Sequence, residues 1–298
     1  MKFSARSPGP LQLRRLPAHW EPAVFQRIEL TPCAPTLGAV VSGVDLHEPL
    51  DDELFAELDR ALLEWKVLFF RDQPIDAAAQ ALFSQRWGPL LDDQLIPTHR
   101  DNPVENVVVF ERNAEIRALE NGWHCDGSFR NEIPMGTVLR AIEVPEVGGD
   151  TLFADMAAAY DNLPEDLQKM LEDRVAVHDW SLGAYAEKYG DQLEALRAQV
   201  PPVEQPVVRA HPITGRKTLF VNRFFTREIL GLEEPESDAL LARLCNQAEI
   251  PELQCRFAWR PGSIAFWDNQ AVQHYGANDY FPQRRLMARS SIARRQTS

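Results

Sequence analysis

Hydrophobic residues in the first third of the chain predict two helices on either side of a buried strand. Leucines recur at helical spacing between residues 54 and 65, and the acidic pair at 51–52 can cap such a helix. The apolar run 67–70 follows directly and predicts a buried strand. Asp76 then opens a second predicted helix, which extends to about Arg86.

Further along the chain, β-branched and aromatic residues dominate the hydrophobic pattern. We predict strands within residues 37–45, 107–110, 137–144, 218–221, 263–267 and 289–292. Helical patterns interrupt them at residues 156–173 and 236–247, and residues 182–208 are predicted to form a long excursion. Many strands without regular βαβ alternation favour a β-barrel or sandwich with helical additions over a doubly wound parallel sheet.

Composition narrows the class of protein. The 298 residues carry 31 Lys and Arg against 44 Asp and Glu, and this net charge of -13 argues against a general nucleic-acid surface. No run approaches the ~18 apolar residues of a membrane helix, so no membrane partner is expected. The four cysteines form no CxxC pair, which is typical of a cytoplasmic protein. We predict a flexible lead-in over residues 1–20 and one domain over residues 21–298.

A His-x-Asp tripeptide is the first candidate for chemistry. In extended backbone, His124 and Asp126 point to one face while Cys125 points to the other. With the later His274 they would supply two imidazoles and one carboxylate, the set that non-haem Fe(II) oxygenases use while keeping three positions open. Taken alone, the tripeptide is weak, because a single histidine is more often structural than a metal ligand.

Two arginines near the C-terminus strengthen the interpretation of this tripeptide as part of a metal site. Arg285 and Arg289 lie four residues apart, so both can project from one side of a strand and offer forked donors to carboxylate-like groups. The alternative is a solvated basic edge, which is how we interpret Arg294 and Arg295.

These residues make the chain recognisable: it resembles the taurine dioxygenase family (TauD/TfdA-like) of Fe(II)- and 2-oxoglutarate-dependent oxygenases. Matching segments run through most of the chain in the family's order: LGAVVSGVDL, VLFFRDQ, WHCDGSF, GGDTLFADM, HPITGRKTLFVN and FWDNQAVQHYGANDYFPQRRLMARSSI. The resemblance implies a mainly β fold with helical additions around a double-stranded β-helix (jelly-roll, cupin-like) core.

The resemblance also implies roles for particular residues. His124, Asp126 and His274 match the iron ligands, which would also be the catalytic centre. Thr151 matches the threonine that hydrogen-bonds 2-oxoglutarate, and Arg285 matches the arginine that holds the distal carboxylate of this co-substrate.

The substrate end shows both matches and departures. Arg289 and Phe225 match residues that contact the substrate in the taurine enzyme. Asp93 and Ile96 stand where that enzyme has a histidine and a tyrosine, and Glu120 aligns with its pocket asparagine. An added carboxylate would repel a sulfonate, so we predict that taurine is a poor substrate. Asp93 is a candidate to receive an amine or hydroxyl of the substrate, or else a solvated loop residue.

The implied activity uses Fe(II), 2-oxoglutarate and O2 to hydroxylate a small, anionic organic molecule, with succinate and CO2 as co-products. Alkyl sulfonates, alkyl sulfates and aryloxyalkanoates are the candidate substrates, and hydroxylation can lead to C–S or C–O cleavage. One alternative is tailoring hydroxylation or desaturation of an amino-acid-like substrate. Another is a non-catalytic metal-binding or interaction protein on the same fold. A homo-oligomer is expected because family members often form one.

Overall fold

The structure is a computed structural model, and it describes residues 13–91, 104, 106–116, 121–181, 184–293 and 295. The strands are β1 (Glu29–Pro32), β2 (Ala39–Ser42), β3 (Val67–Phe70), β4 (Val108–Arg112), β5 (Gly136–Glu143), β6 (Thr151–Asp155), β7 (Val175–His178), β8 (Val203–Pro206), β9 (Val208–Ala210), β10 (Lys217–Leu219), β11 (Thr226–Ile229), β12 (Gln254–Phe257), β13 (Ile264–Asp268), β14 (Val272–Gly276) and β15 (Arg285–Ile292). The helices are α1 (Asp52–Trp65), α2 (Ala77–Gln85), α3 (Met156–Asp161), α4 (Glu165–Leu171), α5 (Ala184–Tyr189), α6 (Leu193–Gln199) and α7 (Glu234–Cys245).

The two predicted N-terminal helices and the strand between them are present. Asp51 accepts a hydrogen bond from the backbone N–H of Leu54 and caps α1, and Asp76 caps α2 in the same way through Ala79. Helix α1 ends where Lys66 takes a left-handed backbone conformation with φ of 64°. All four residues of β3 are buried, as its unbroken apolar run predicts.

Two facing sheets enclose the site. The larger has the order β1-β2-β3-β13-β5-β15-β4, and a smaller one has the order β12-β6-β14. One apolar cluster joins them, with Phe69, Leu139 and Met287 from the larger sheet and Phe153 and Phe257 from the smaller. The predicted mainly β architecture with helical additions is therefore confirmed.

The structure contains strands outside every predicted strand range: β1, β6, β7, β8, β9, β11, β12 and β14. Two predicted segments also differ in detail. The single helix predicted over residues 156–173 is two helices, α3 and α4, because Pro164 lacks an N–H and restricts the residue before it. The excursion over residues 182–208 contains helices α5 and α6 and strand β8 within its described part.

Residues 13–20 contact helix α1. The guanidinium of Arg15 lies 2.6 Å from the carboxylate of buried Glu64, and that of Arg60 stacks over the ring of Trp20. Among the described residues, none of the helices combines the length and apolar character needed to cross a membrane.

Candidate active site

The two candidate histidine ligands are neighbours through their backbones. His124 and His274 form an isolated antiparallel bridge, with their reciprocal N–H···O=C hydrogen bonds at 3.1 and 2.8 Å. Strand β14 carries His274, and its pairing with β6 places His274 opposite Phe153 and Gly276 opposite Thr151. The antiparallel bridge thus brings together His124 and His274, which are 150 positions apart in the chain.

The carboxylate of Asp126 completes the cluster. Its Oδ1 lies 3.8 Å from Nε2 of His124 and 3.7 Å from Nε2 of His274, while its Oδ2 accepts a hydrogen bond of 2.8 Å from the Thr137 hydroxyl. Burial alone would raise the pKa of Asp126, but His274, Arg289 and His124 together with that hydrogen bond lower it to about 2. Asp126 is therefore an anion throughout the physiological pH range.

This donor set fits one metal ion. One ligand atom from each of His124, Asp126 and His274 lies within 4.8 Å of the others. Nδ1 of His124 is 2.7 Å from the carbonyl oxygen of Gly122, so the ring donates its proton there and keeps a lone pair on Nε2. Two imidazoles and one carboxylate on one side of a metal are typical of non-haem Fe(II) sites.

A cavity extends away from this cluster and combines apolar and cationic walls. It is lined by Phe110, His124, Asp126, Leu139, Thr151, Trp267, His274, Gly276, Ala277, Asn278, Tyr280, Arg285 and Arg289. The structure therefore brings Thr151 and both predicted arginines into the cavity of the three candidate ligands.

A glycine turn positions the far end of this cavity. Gly149 has a φ of 70°, and a Cβ atom there would lie 3.2 Å from the ring of Tyr280 and 3.4 Å from Cδ of Arg285. The position thus favours glycine for its backbone conformation, and a side chain there would also crowd both neighbours. The Gly149 N–H donates to Asp279 at 2.8 Å, and β6 begins two residues later at Thr151.

The two arginines have different surroundings, although both project from β15. Arg285 is 9% exposed, and its guanidinium lies 5.8 Å from the ring centroid of Trp259. The indole N–H of Trp259 donates to the Thr151 hydroxyl at 2.9 Å, so one side chain contacts both residues expected to hold 2-oxoglutarate. Arg289 lies next to the three candidate ligands, with Nη1 3.5 Å from Oδ1 of Asp126.

Of the residues expected to contact the substrate, the structure describes Phe225 and Arg289. Phe225 is buried, and its ring meets that of His124 edge-on with centroids 5.9 Å apart, behind the cavity wall described above. Asp93, Ile96 and Glu120 lie outside the described residues.

Four other residues considered from the sequence are buried and contact other protein side chains or backbone groups. Cys125 faces away from the cluster, where its thiol donates to the Asn269 carbonyl. His211 is buried and bonded to Asp268 at 2.8 Å. His178 is also buried, which lowers its pKa to about 3, and Nδ1 lies 3.1 Å from the Ser128 hydroxyl. Trp267 packs beside His274, with ring centroids 4.8 Å apart.

Sequence reasoning missed several residues of the site. Thr137 and Asn269 support the carboxylate of Asp126, Trp259 bridges to the far end, and Asn278 and Tyr280 line the cavity. Asn269, Asn278 and Tyr280 lie inside a matching segment, but nothing in the sequence marked them individually. Thr137 and Trp259 lie outside the matching segments, and their contacts depend on pairing between distant strands.

The fold and site together define an oxygenase-type jelly roll, and comparison with known proteins identifies its family. The family described as "Taurine catabolism dioxygenase TauD, TfdA family" matches residues 29–291. The chain belongs to this family.

Named relatives cover most of the chain. It is 34% identical over 276 residues to an alkylsulfatase of Acinetobacter baylyi, covering 90% of this chain and 86% of that protein. It is 36% identical over 276 residues to the (S)-phenoxypropionate/alpha-ketoglutarate-dioxygenase of Sphingobium herbicidovorans, covering 89% and 94%. A taurine dioxygenase crystal structure from Burkholderia xenovorans superposes with a TM-score of 0.78 at 31% identity, covering 90% and 92%.

These findings confirm the family, the jelly-roll fold class and the predicted reaction class, an oxidoreductase that uses iron, 2-oxoglutarate and O2. A small molecule as substrate fits the same relatives.

Proposed function

We propose that this protein is an Fe(II)- and 2-oxoglutarate-dependent dioxygenase acting on a small anionic organic substrate. Alkyl sulfates, alkyl sulfonates and aryloxyalkanoates are the candidate classes, because relatives are named as an alkylsulfatase, a sulfonate dioxygenase and a phenoxypropionate dioxygenase. The products would be the hydroxylated substrate or its C–O or C–S cleavage products, together with succinate and CO2.

One observation carries the proposal: a single cavity holds the His-Asp-His cluster, Thr151 and two buried or half-buried arginines. A structural metal site would use closed coordination and would not need an adjoining cationic cavity. An oxygenase needs open metal positions and an adjoining cationic cavity, because the co-substrate is a dianion and must bind beside the metal.

We assign the metal to His124, Asp126 and His274. Three protein ligands leave room for two donor atoms of a keto acid and for O2, and the iron supplies the activation of O2 that organic side chains cannot. The chain's own contribution is to hold the imidazole lone pairs and one carboxylate oxygen toward a common point.

We assign the other end of 2-oxoglutarate to Thr151 and Arg285. A guanidinium can bind a carboxylate with two parallel hydrogen bonds, and burial of Arg285 strengthens such a pair by excluding water. Because Thr151 accepts the Trp259 N–H, its own hydroxyl proton remains available to donate to a carboxylate oxygen.

The prime substrate belongs at the opposite side of the metal. Arg289 lies 3.5 Å from Asp126 and would bind an anionic group of the substrate. We keep Phe225, whose ring meets that of His124, and Asp93 as further candidate substrate contacts. The cationic group beside the metal supports an anionic substrate over a neutral one.

We extend the proposal to the cellular setting and organisation of the protein. A cytoplasmic location is supported by the four free cysteines, and a homo-oligomer by what is common in the family. We keep the predicted single domain over residues 21–298 after a lead-in.

The test is a spectroscopic titration without oxygen, followed by a substrate screen. Fe(II) and 2-oxoglutarate should give a weak visible charge-transfer band, and His124→Ala or Asp126→Ala should abolish it by removing one of three ligands. His47→Ala is a matched control, because His47 is exposed and bonded to Asp45. Succinate release is then measured with alkyl sulfates, alkyl sulfonates including taurine, aryloxyalkanoates and amino acids.

The outcomes separate the alternatives. A band that persists in both ligand variants would overturn the metal assignment. Absence of 2-oxoglutarate binding by the wild type, with no succinate from any substrate, would instead identify a non-catalytic metal-binding protein. Turnover of amino acids in preference to the three anionic classes would favour the tailoring reaction.

A further inference from the structure

We infer that Thr137 is a positioning residue that restricts Asp126 to binding the metal through one oxygen. This inference rests on the proposed function, and it concerns the supporting hydrogen bonds rather than the ligands themselves. Thr137 donates to Oδ2 of Asp126 at 2.8 Å, while Oδ1 is the atom that faces both imidazoles.

The direction of that hydrogen bond follows from a chain of three. The indole N–H of Trp267 can only donate, and it bonds the Asn269 Oδ1 at 2.9 Å. This fixes the Asn269 amide, so its Nδ2 donates to the Thr137 oxygen at 3.0 Å. The Thr137 hydroxyl oxygen thus accepts from Asn269, and its own proton points to Oδ2 of Asp126, 2.8 Å away.

The backbone holds this relay rigidly. Trp267 pairs directly with Thr137 across β13 and β5, and Asn269, just beyond β13, donates its backbone N–H to the Met135 carbonyl at 3.0 Å. Thr137, Asn269 and Trp267 are each 0–1% exposed, so water does not compete for these donors. Consecutive hydrogen bonds that run in one direction also polarise one another.

The consequence concerns how many metal positions remain open. A carboxylate that bound through both oxygens would occupy two positions and leave two of six, too few for a chelating keto acid and O2 together. With Oδ2 engaged by Thr137, Asp126 offers Oδ1 alone. The relay therefore keeps three positions available, which is what the proposed reaction requires.

The test compares Thr137→Ala with Thr137→Ser. Both variants lose the threonine methyl group, but only the serine variant keeps the hydroxyl, so their difference isolates the hydrogen bond. Supporting hydrogen bonds to ligands are worth about 10- to 100-fold in metal affinity. We expect calorimetric Mn²⁺ titration of the metal-free protein to show a loss of this size for Thr137→Ala and within about 3-fold of the wild type for Thr137→Ser.

A second readout reports the coordination itself. The Co²⁺ absorption spectrum of Thr137→Ala should change in intensity and position on loss of single-oxygen binding, whereas that of Thr137→Ser should match the wild type. Thermal melting of each metal-free variant checks that the fold is retained, and Thr137→Val replaces Thr137→Ala if the smaller residue fails to fold.

Equal Mn²⁺ affinity and equal Co²⁺ spectra for the alanine and serine variants would overturn the inference. Failure of the proposed function has a different signature, because the wild type itself would then not bind 2-oxoglutarate beside Fe(II). The hydrogen-bond effect on Mn²⁺ and Co²⁺ binding is measurable in either case.

Discussion

Arg285 and Arg289 project from one face of one strand, yet the regions around them are built differently. Arg289 lies at the metal end, 3.5 Å from a carboxylate that is also hydrogen-bonded by Thr137. Arg285 lies roughly 13 Å further along the backbone, beside Trp259 and against the Gly149 turn. The same side chain is thus placed once among charged and coordinating groups and once among aromatic groups.

The comparison shows that the neighbours of an arginine decide which ligand it can select. A guanidinium next to Asp126 has part of its charge already balanced, so it favours an anion only where that anion also lies beside the metal. A guanidinium beside an indole gains a cation–π attraction, and the neutral ring does not balance its charge. We therefore expect substitutions at the two positions to affect different molecules.

The largest effect is expected from Arg285→Gln. Removing one member of a buried charge pair costs roughly 2–5 kcal/mol, so the KM for 2-oxoglutarate should rise by about 30-fold or more while that of the prime substrate changes little. Arg284→Gln is the matched control, because that neighbouring arginine is exposed and paired with Glu111 and Glu143. Initial rates of succinate formation at varied 2-oxoglutarate check the prediction, and equal changes for both substrates would contradict it.

A smaller effect, on the prime substrate instead of 2-oxoglutarate, is expected from Arg289→Gln. The KM for an anionic prime substrate should rise about 10- to 150-fold, the equivalent of ~1.5–3 kcal/mol for a hydrogen bond to a charged group. The KM for 2-oxoglutarate should stay nearly unchanged, and Arg289→Lys should recover part of the loss by restoring the charge. Preferred turnover of an uncharged substrate by the wild type would remove the basis for this assignment.

The sequence predicted that the three candidate ligands would lie together because its signals there are local or recognisable. Alternation in extended backbone places His124 and Asp126 on one face, and the family resemblance supplied the matching His274. Spacing along one strand likewise predicted that Arg285 and Arg289 share a face, as they do in β15.

The supporting residues could not be predicted in the same way. The relay that orients the Thr137 hydroxyl forms only because β5 pairs with β13 in a register that sets Thr137 against Trp267, more than a hundred positions away. Trp259 reaches Thr151 by a similar pairing of β12 with β6. Neither register follows from the residue types of a single strand, since many alignments would bury the same apolar residues.

The smallest effect, and the sharpest check on the aromatic side of the comparison, is expected from Trp259→Phe. Phenylalanine keeps an aromatic ring beside Arg285 but removes the N–H that bonds the Thr151 hydroxyl. A neutral hydrogen bond is worth ~0.5–1.5 kcal/mol, so the KM for 2-oxoglutarate should rise about 2- to 12-fold with kcat nearly preserved. Adding Thr151→Val should give less than the sum of the two single effects, because both variants remove the same bond. Full additivity, or a change confined to the KM of the prime substrate, would show that Trp259 does not act through Thr151 on the co-substrate.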